Sequence, residues 1–553
     1  MLKFFKNWKF VFILTLLLLY IVYFTVVYKT ELELPSEKWS RDLLLTEFKA
    51  ESISEAMANS NISSIPISDE NVFITFWYNN NNINYSIINS QGIIVLKDNL
   101  NFSIESLKKI RGIYRDNIIF LYSLENRNLK IYEFDFKANK VLSKKNIADD
   151  VKDFIVREDI LIYSNNNSLN FVDTSGHKET VKNINVEKFE IIKDKENPLY
   201  HIALYEKLNS KDNYLTYLTY NLNNRKINVH KLTSIANSVK ISLDRVDIGI
   251  IDDKINILAS LNDNRFGTNV LHNFTFKKND VSNFSKNTMS LNGSKPYPQI
   301  LKEERKKLTF IASVNLIKGK DTETVNLIKY TIDKKNNITG EKLLTKTNSL
   351  SVNPYYFNLS NNDYLVWTDI NGRNKSILIS SNSNDIIKAS KKLRSSEILD
   401  LFMATFTSLI PSIFISLISV MNIFMPTILF IFIVSVINLR WVEFYYNRVF
   451  IIIFILHSIL KIFYTNRILI DNHEVYKFLP IFLKNPISLY FLIGIATLIA
   501  LYCLKLFLKN SKNRKHLVKT YSFFAFIDIF IYTFLTIPYV YSYLLLTYKI
   551  NIS

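Results

Sequence analysis

A long apolar run lies close to the N-terminus. Residues 10–28 contain no charged side chain, and a helix of that length crosses a hydrocarbon core of about 30 Å at about 1.5 Å per residue. A cleaved signal peptide would have a shorter apolar region and a small-residue cleavage site, whereas Lys29 and Glu31 follow this run directly. The pattern predicts an uncleaved transmembrane anchor, preceded by a basic segment at residues 1–9.

Apolar runs return in the last part of the chain and predict a multi-pass helical bundle over residues 399–548. They lie near residues 401–439, 449–464, 487–508 and 521–547. Each of the last three predicts one span. The first is too long for one upright helix and contains Pro411, Asn422 and Pro426. It therefore predicts either a tight helical hairpin or an interfacial helix that leads into a single span.

Basic residues orient this arrangement, because cytoplasmic flanks of membrane spans are enriched in Lys and Arg. Lys3, Lys6 and Lys9 favour a cytoplasmic N-terminus and an exported middle domain. The basic loop at residues 509–519 is then cytoplasmic only if segment 401–439 crosses once. Two crossings would place either that loop outside or the middle domain in the cytoplasm. The basic residues Lys391, Lys392 and Arg394 fit the second of these outcomes. We favour the first arrangement, in which the middle domain lies on the extracytoplasmic side of the cell membrane.

Between the membrane segments, residues 36–60 predict a short juxtamembrane amphipathic helix. The apolar side chains that one helical face would carry are Trp39, Leu43, Leu44, Phe48 and Ile53.

From about Asn71 onward, short alternating runs rich in Ile, Val, Tyr and Phe are separated by Asn, Asp, Ser and Lys, which is typical of β-strands. Paired runs begin near Val72, Asn117, Asp159, Leu199, Ile255, Leu308 and Tyr364, at intervals of 40 to 56 residues. Repeats of this length predict an all-β, seven-bladed β-propeller-like domain over residues 62–390, with a pair of β-sandwiches or an irregular β-solenoid as alternatives.

One unit carries a recognisable turn. Residues 366–372 read Val-Trp-Thr-Asp-Ile-Asn-Gly, and this sequence resembles bacterial propeller repeats in which a hydrophobic-Trp-x-Asp-x-x-Gly turn joins two strands. Only one unit shows the pattern, so the resemblance implies a propeller repeat without assigning a particular family.

Composition changes this picture little. The formal charge is +19, but the lysines are scattered among Asn and Ser, which is more typical of a solvated surface than of a nucleic-acid site. Together with the scarcity of glycine, this composition is typical of AT-rich bacterial coding DNA. Cys503 is the only cysteine, so an intramolecular disulfide is impossible and a Cys-based zinc site cannot form.

The sequence contains no motif for catalysis, cofactor binding or metal binding. Phosphate-binding glycine loops, dinucleotide fingerprints, zinc-protease helices and nucleophile turns are absent. Asp471, Asn472, His473 and Glu474 form a polar cluster that could bind a cation, but we favour its interpretation as a solvated turn. We therefore expect no catalytic residue, cofactor or resident metal, and enzymatic activity is uncertain but not indicated.

Three polar residues lie within the predicted spans and form the one candidate site. His457 and Asp528 each fall seven to eight residues into their span, about 10 to 12 Å from its start. The two helices are separated by one intervening span and run parallel, so both residues lie at similar depth. Lys461 is one turn beyond His457 on the same face. The set predicts a proton or ion relay, a polar substrate site, or a buried contact that fixes helix packing.

These observations predict a multi-pass membrane protein whose β-domain is a binding, sensing or scaffold module. The lipid bilayer is its first expected partner. A protein or ligand would bind the β-domain, another membrane protein could pair with the bundle, and nucleic acid is not expected. The alternatives are a permease-like or gated unit that uses the three polar residues, and a membrane enzyme without a recognisable motif.

Overall fold

The computed structural model describes residues 7–58, 61–207, 213–235, 241–263, 268–289, 291, 297–304, 307–318, 322–437, 439–467, 471, 481–510, 516–546 and 548–550. They form two compact units. The helical unit consists mainly of Met1–Glu33 and Lys392–Tyr548, and the strand unit mainly of Leu34–Ile317 and Thr322–Lys391.

The strand unit contains five separate sheets of four antiparallel strands, each built from consecutive strands. The first two sheets contain β2 (Ile62–Ile67), β3 (Val72–Asn79), β4 (Asn82–Asn89), β5 (Ile94–Ser103); β6 (Leu107–Arg115), β7 (Ile118–Glu125), β8 (Asn128–Asp135), β9 (Lys140–Ala148). The third contains β10 (Asp153–Arg157), β11 (Ile160–Asn165), β12 (Ser168–Asp173), β13 (Lys178–Lys182). The last two contain β14 (Val186–Lys193), β15 (Leu199–Lys207), β16 (Asn213–Asn221), β17 (Ile227–Ile235); β18 (Ile241–Ile251), β19 (Lys254–Asp263), β20 (Thr268–Lys277), β21 (Asp280–Met289).

A sixth, larger sheet holds two further four-stranded groups. One contains β22 (Tyr297–Glu304), β23 (Lys307–Lys318), β24 (Thr322–Asp333), β25 (Ile338–Leu343). The other contains β26 (Leu350–Leu359), β27 (Asn362–Asn371), β28 (Asn374–Ser381) and, from the start of the unit, β1 (Leu43–Lys49). Sequential four-stranded antiparallel sheets of this kind are the blades of a β-propeller domain, and the predicted propeller is confirmed at this level.

The expected amphipathic helix at residues 36–60 is wrong. Residues Leu43–Lys49 form strand β1, which pairs antiparallel with β28, and of the described residues 36–58 only Ile53–Ala58 (α2) is helical. Trp39 is buried and its indole Nε1 donates to Leu344 O and Ser380 Oγ, both at 3.0 Å. Over so short a run, the spacing of the apolar residues fits both a helix and a strand. The pairing partner of β1 is β28, at the far end of the domain, so the local sequence does not reveal the pairing.

Tight turns between strands use asparagine where glycine is common in other proteins. Asn80 and Asn81, between β3 and β4, have φ of 50° and 57°, and Ser360 and Asn361 adopt the same left-handed region between β26 and β27. Asparagine tolerates this conformation better than other residues with a side chain. In the Trp-x-Asp-x-x-Gly turn, Gly372 has φ of 60°. The asparagine runs of a glycine-poor chain therefore form hairpin turns.

The helices of the helical unit follow the apolar runs. They are α1 (Trp8–Glu31), α4 (Ser395–Ile437), α5 (Leu439–Phe444), α6 (Tyr446–Thr465), α7 (Ile481–Lys484), α8 (Pro486–Asn510) and α9 (Leu517–Leu546). A short α3 (Asn384–Ala389) belongs to the strand unit, and a three-residue strand β29 (Tyr548–Ile550) ends the described chain. Within the described residues, five helical stretches are long and apolar enough to cross a membrane.

Helix α4 decides between the two interpretations of segment 401–439. Its 43 residues continue through Pro411 and Pro426 without a turn, so the hairpin is wrong. A helix of this length measures about 64 Å, roughly twice a hydrocarbon core. Each proline removes only one backbone donor, and packing against neighbouring helices keeps the helix continuous. A single passage that includes an interfacial part stays a prediction.

Candidate functional site

The three polar residues predicted from the apolar segments meet inside the helical unit. Helix α6 carries His457 and Lys461 four residues apart, so they lie on the same helical face, and both are buried. Asp528 lies on the buried face of α9 and is completely buried. The side chains of His457 and Lys461 both contact that of Asp528, as their predicted positions along the helices allow.

The carboxylate of Asp528 is the centre of this network. Its Oδ2 lies 2.9 Å from His457 Nε2 and 2.7 Å from Lys461 Nζ. Its Oδ1 accepts a second hydrogen bond from Lys461 at 2.9 Å. Lys461 also donates to Thr497 Oγ1 on α8. Three helices are thus joined through two charged side chains of opposite sign.

The position of the histidine proton follows from its neighbours. His457 Nδ1 lies 3.1 Å from the hydroxyl of Tyr521. Because an ionised carboxylate only accepts, Nε2 donates to Asp528, and in a singly protonated ring Nδ1 accepts from the Tyr521 O–H. In this tautomer the imidazole is neutral, and Lys461 and Asp528 cancel in charge. Both ring nitrogens of His457 and both carboxylate oxygens of Asp528 therefore have hydrogen-bond partners.

Sequence reasoning missed the hydroxyl groups that complete this site. They are Tyr521, Thr497 and, one turn further along α6, Thr465, which donates to Tyr532 at 2.9 Å. A signal was present, because Tyr521 and Tyr532 stand seven residues before and four residues after Asp528, on the same face of α9. The hypothesis of a cation site at residues 471–474 stays a prediction, because residues 472–474 lie outside the described residues.

A cavity of about 390 Å³ lies beside the network, between α6 and α8. Lys461 and Thr497 are on its wall, and the remainder of the lining is largely apolar, including Phe454, Phe491 and Leu498. Chemically, the site can hold helices together by paired charges or connect a buried lysine to a side cavity. Of the described residues, no cluster of His, Cys, Asp and Glu can hold a metal ion.

The strand unit contains a second network of the same residue types, which sequence reasoning also missed. Asp194 accepts from Lys278 Nζ at 2.7 Å and lies 3.3 Å from His201 Nε2, while His201 Nδ1 contacts the Tyr217 hydroxyl. Burial alone would raise the pKa of Asp194, but hydrogen bonds from Lys278 and from the Glu196 amide lower it to about 2. Burial lowers the pKa of His201.

Comparisons with known proteins bear on the fold only. No protein-family model matches the chain, and no curated protein matches it. Solved structures do match. The N-terminal domain of Nup159 has TM-score 0.39 and 10% identity over 63% of this chain and 97% of its own. Sqt1 of Saccharomyces cerevisiae has TM-score 0.36 and 10% identity over 61% of this chain and 98% of its own. The Dos1 propeller has TM-score 0.36 and 8% identity over 61% and 94%.

Strand order therefore defines the class: a β-propeller domain joined in sequence to a unit of apolar helices. The five separate four-stranded sheets, and not the weak similarities, carry this conclusion.

Proposed function

We propose that the chain is a membrane-anchored binding or scaffold protein, whose seven-bladed propeller presents a surface to a partner. The pairing of β1 with β28 is the observation that carries this proposal. It joins the first strand of the domain to the last three and protects the edge that β28 would otherwise expose. A ring closed in this way is a rigid platform, and its loops are free to vary for binding.

Lipid attachment is supported by what the helices leave uncovered. Large apolar side chains are exposed along α4, α6 and α8, among them Phe414, Phe432, Phe463 and Phe491 at 63–68%. Soluble proteins rarely expose so many neighbouring apolar groups, because each would order water. In a bilayer the same side chains are solvated, and every backbone group of a helix is already hydrogen-bonded.

Export of the propeller is the orientation we propose. A single passage of α4, followed by α6 and α8, makes three crossings between the propeller and the basic loop at residues 509–519. The propeller would then be outside, while the N-terminus and the basic loop would be in the cytoplasm, as the positive charges favour.

Cysteine labelling tests this orientation. In a Cys503→Ala background, Ser175→Cys places a thiol in the exposed turn after β12, and Lys509→Cys places one in the last turn of α8. A membrane-impermeant maleimide on intact cells should label Ser175→Cys but label Lys509→Cys only after lysis. The reverse pattern would contradict export, and it would leave membrane attachment intact.

Partner binding is tested by affinity capture with residues 34–391 from the envelope of cells that express the chain. The matched control is residues 50–391, which lack β1 and the segment before it. We expect a partner in stoichiometric amount on the closed ring and not on the opened one. Failure to recover any partner at stoichiometric level would contradict the binding proposal.

The buried network favours a second candidate, a permease-like or gated unit. Lys461 connects Asp528 to the cavity between α6 and α8, which is an arrangement that transport of a polar group or proton would require. Asp528→Asn and His457→Gln distinguish the two roles. A transport role predicts near-normal abundance with loss of the cellular phenotype, whereas a packing role predicts that abundance and phenotype fall together.

A further inference from the structure

A cavity of about 330 Å³ lies where the blades of the strand unit converge. Six blades contribute residues to it, mainly from their first strands, which are β6, β10, β14, β18, β22 and β26. The blades approach closely here. A Cβ on Gly112 of β6 would lie 2.2 Å from Ile65 Cδ1, so a larger residue at that position would have to displace the Ile65 side chain. The cavity therefore belongs to the centre of the propeller.

Most of the charges around this cavity are already paired. Lys109 Nζ lies 2.7 Å from Asp153 Oδ1, and Arg157 Nη2 lies 3.0 Å from Glu190 Oε1. The carboxylate of Asp247 accepts from the backbone amides of Ile300 at 2.7 Å and Ile248 at 2.8 Å. Burial raises the pKa of Asp247 to about 7, and Glu190 acts in the same direction. Asp247 is therefore only partly ionised near neutral pH.

Two guanidinium groups remain without an ion-pair partner among the described residues. Arg111 donates through Nη1 to the carbonyl oxygens of Ile62 and Ile110, at 3.2 and 2.8 Å. It also lies 6.0 Å from the centre of the Tyr355 ring. Arg245 lines the same cavity from β18. Both groups keep donors available, and their positive charges repel each other across the cavity.

The cavity also contains an unused acceptor. The side-chain oxygen of Gln299, on β22, is buried and accepts no hydrogen bond within the described part of the chain. A buried acceptor without a donor is unfavourable, and a bound molecule that supplies the missing donor removes that cost. The cavity therefore combines arginine donors with the free acceptor of Gln299, and a small polar molecule could bind to both.

We propose that the central cavity binds a small oxyanion, a carboxylate or phosphate compound that also carries a hydroxyl or amino group. Arg111 and Arg245 hold the oxyanion, because guanidinium groups match carboxylate and phosphate oxygens in pairs. Gln299 accepts from the hydroxyl or amino group. This site goes beyond the proposed scaffold role and requires neither a protein partner nor a particular orientation in the membrane.

The test uses the full chain in detergent and two probes, inorganic phosphate and malate. Unfolding of the strand unit is followed by tryptophan fluorescence during heating, with sodium chloride at equal ionic strength as the reference. At least one probe should raise the midpoint in a saturable manner, because a ligand that binds only the folded state stabilises it. Phosphate alone would indicate a phosphate compound, and malate alone a hydroxycarboxylate.

Substitutions assign the effect to this cavity. Arg111→Gln and Arg245→Gln should each weaken the apparent affinity at least tenfold, whereas Arg115→Gln, an exposed position on the same strand as Arg111, should leave it unchanged. If either glutamine variant fails to fold, the lysine variant at that position replaces it, and weaker binding is again expected. The proposal is overturned if neither probe raises the unfolding midpoint more than chloride does. It is also overturned if the double variant Arg111→Gln/Arg245→Gln responds like the wild type. Either result leaves the scaffold proposal untouched.

Discussion

The two units contain nearly the same buried network in two different surroundings. In each, a histidine places Nε2 toward an aspartate and Nδ1 toward a tyrosine hydroxyl, and a lysine pairs with the same aspartate. The networks are Asp194, His201, Tyr217 and Lys278 in the strand unit, and Asp528, His457, Tyr521 and Lys461 in the helical unit.

The difference between the networks is access to water. The Lys278 side chain is 20% exposed, so it can turn toward solvent if Asp194 is lost. The Lys461 side chain is 2% exposed and is surrounded by apolar helices. An ion pair that can be rehydrated contributes little, whereas breaking a fully buried pair leaves a charge that nothing solvates. Identical residue types therefore have different energetic consequences.

The largest effect is expected from removing β1, which tests whether this strand closes the strand unit. Residues 34–391 should unfold cooperatively, whereas residues 62–391 should not. The deletion removes Trp39 and Leu45 from the core, at a cost above about 5 kcal/mol, which approaches the whole stability of a domain. Thermal unfolding followed by circular dichroism measures this. Equal stability of the two fragments would contradict closure through β1.

Asp528→Leu should have the next largest effect, because Lys461 would be left buried without a counter-charge. We expect destabilisation by about 3–5 kcal/mol, measured as the unfolding midpoint in detergent and as the yield of monodisperse protein. Phe526→Leu, at an exposed apolar position on the same helix, is the matched control.

The double variant Asp528→Leu/Lys461→Met removes both charges at once. It should recover most of the lost stability, since the cost lies in the unpaired lysine and not in the missing carboxylate. Equal damage in the single and double variants would mean that the ion pair itself stabilises the unit.

Asp247→Asn probes a buried carboxylate of the strand unit that has no lysine partner. The folded-state pKa is raised from 3.8 to about 7, so the folded protein binds more protons than the unfolded chain between these values, and this group destabilises the fold increasingly as pH rises. Relative to wild type, the variant should gain up to about 2–3 kcal/mol between pH 5 and pH 8. A pH-independent difference between the two proteins would contradict the raised pKa.

Asp194→Asn should have the smallest effect, about 1–2 kcal/mol at pH 7, because Lys278 can reach water. The folded-state pKa of Asp194 is lowered from 3.8 to about 2. Its stabilising contribution is therefore present above about pH 4 and is lost as pH falls toward 2. Urea unfolding of residues 34–391 at pH 7 and pH 3, with Asp116→Asn as an exposed control, measures this. A loss as large as that of Asp528→Leu would remove the distinction between the two networks.

Sequence could predict the propeller because the middle strands of each blade are its most apolar part. The runs that begin near Val72, Asn117 and Asp159 correspond to β3, β7 and β11, which are covered on both faces. The outer strands β9 and β13 alternate between exposed and partly buried residues, and their sequences are correspondingly polar. Strand β1 was missed because its partner is remote in sequence.

The site was predictable to the same extent. Charged residues in an apolar span are conspicuous, and helix geometry fixes their depth, so His457, Lys461 and Asp528 could be identified together. Contacts between blades have no such signal. Arg111 and Arg245 belong to strands that are not neighbours in sequence, and only the folded ring brings them to one cavity.

Our proposal requires that lipid surrounds the helical unit and that water surrounds the strand unit. Alkaline carbonate extraction of membranes tests it directly, with the full chain and residues 34–391 expressed in parallel. The full chain should stay in the membrane pellet, and the fragment should be recovered in the soluble fraction. Release of the full chain into the supernatant would contradict it.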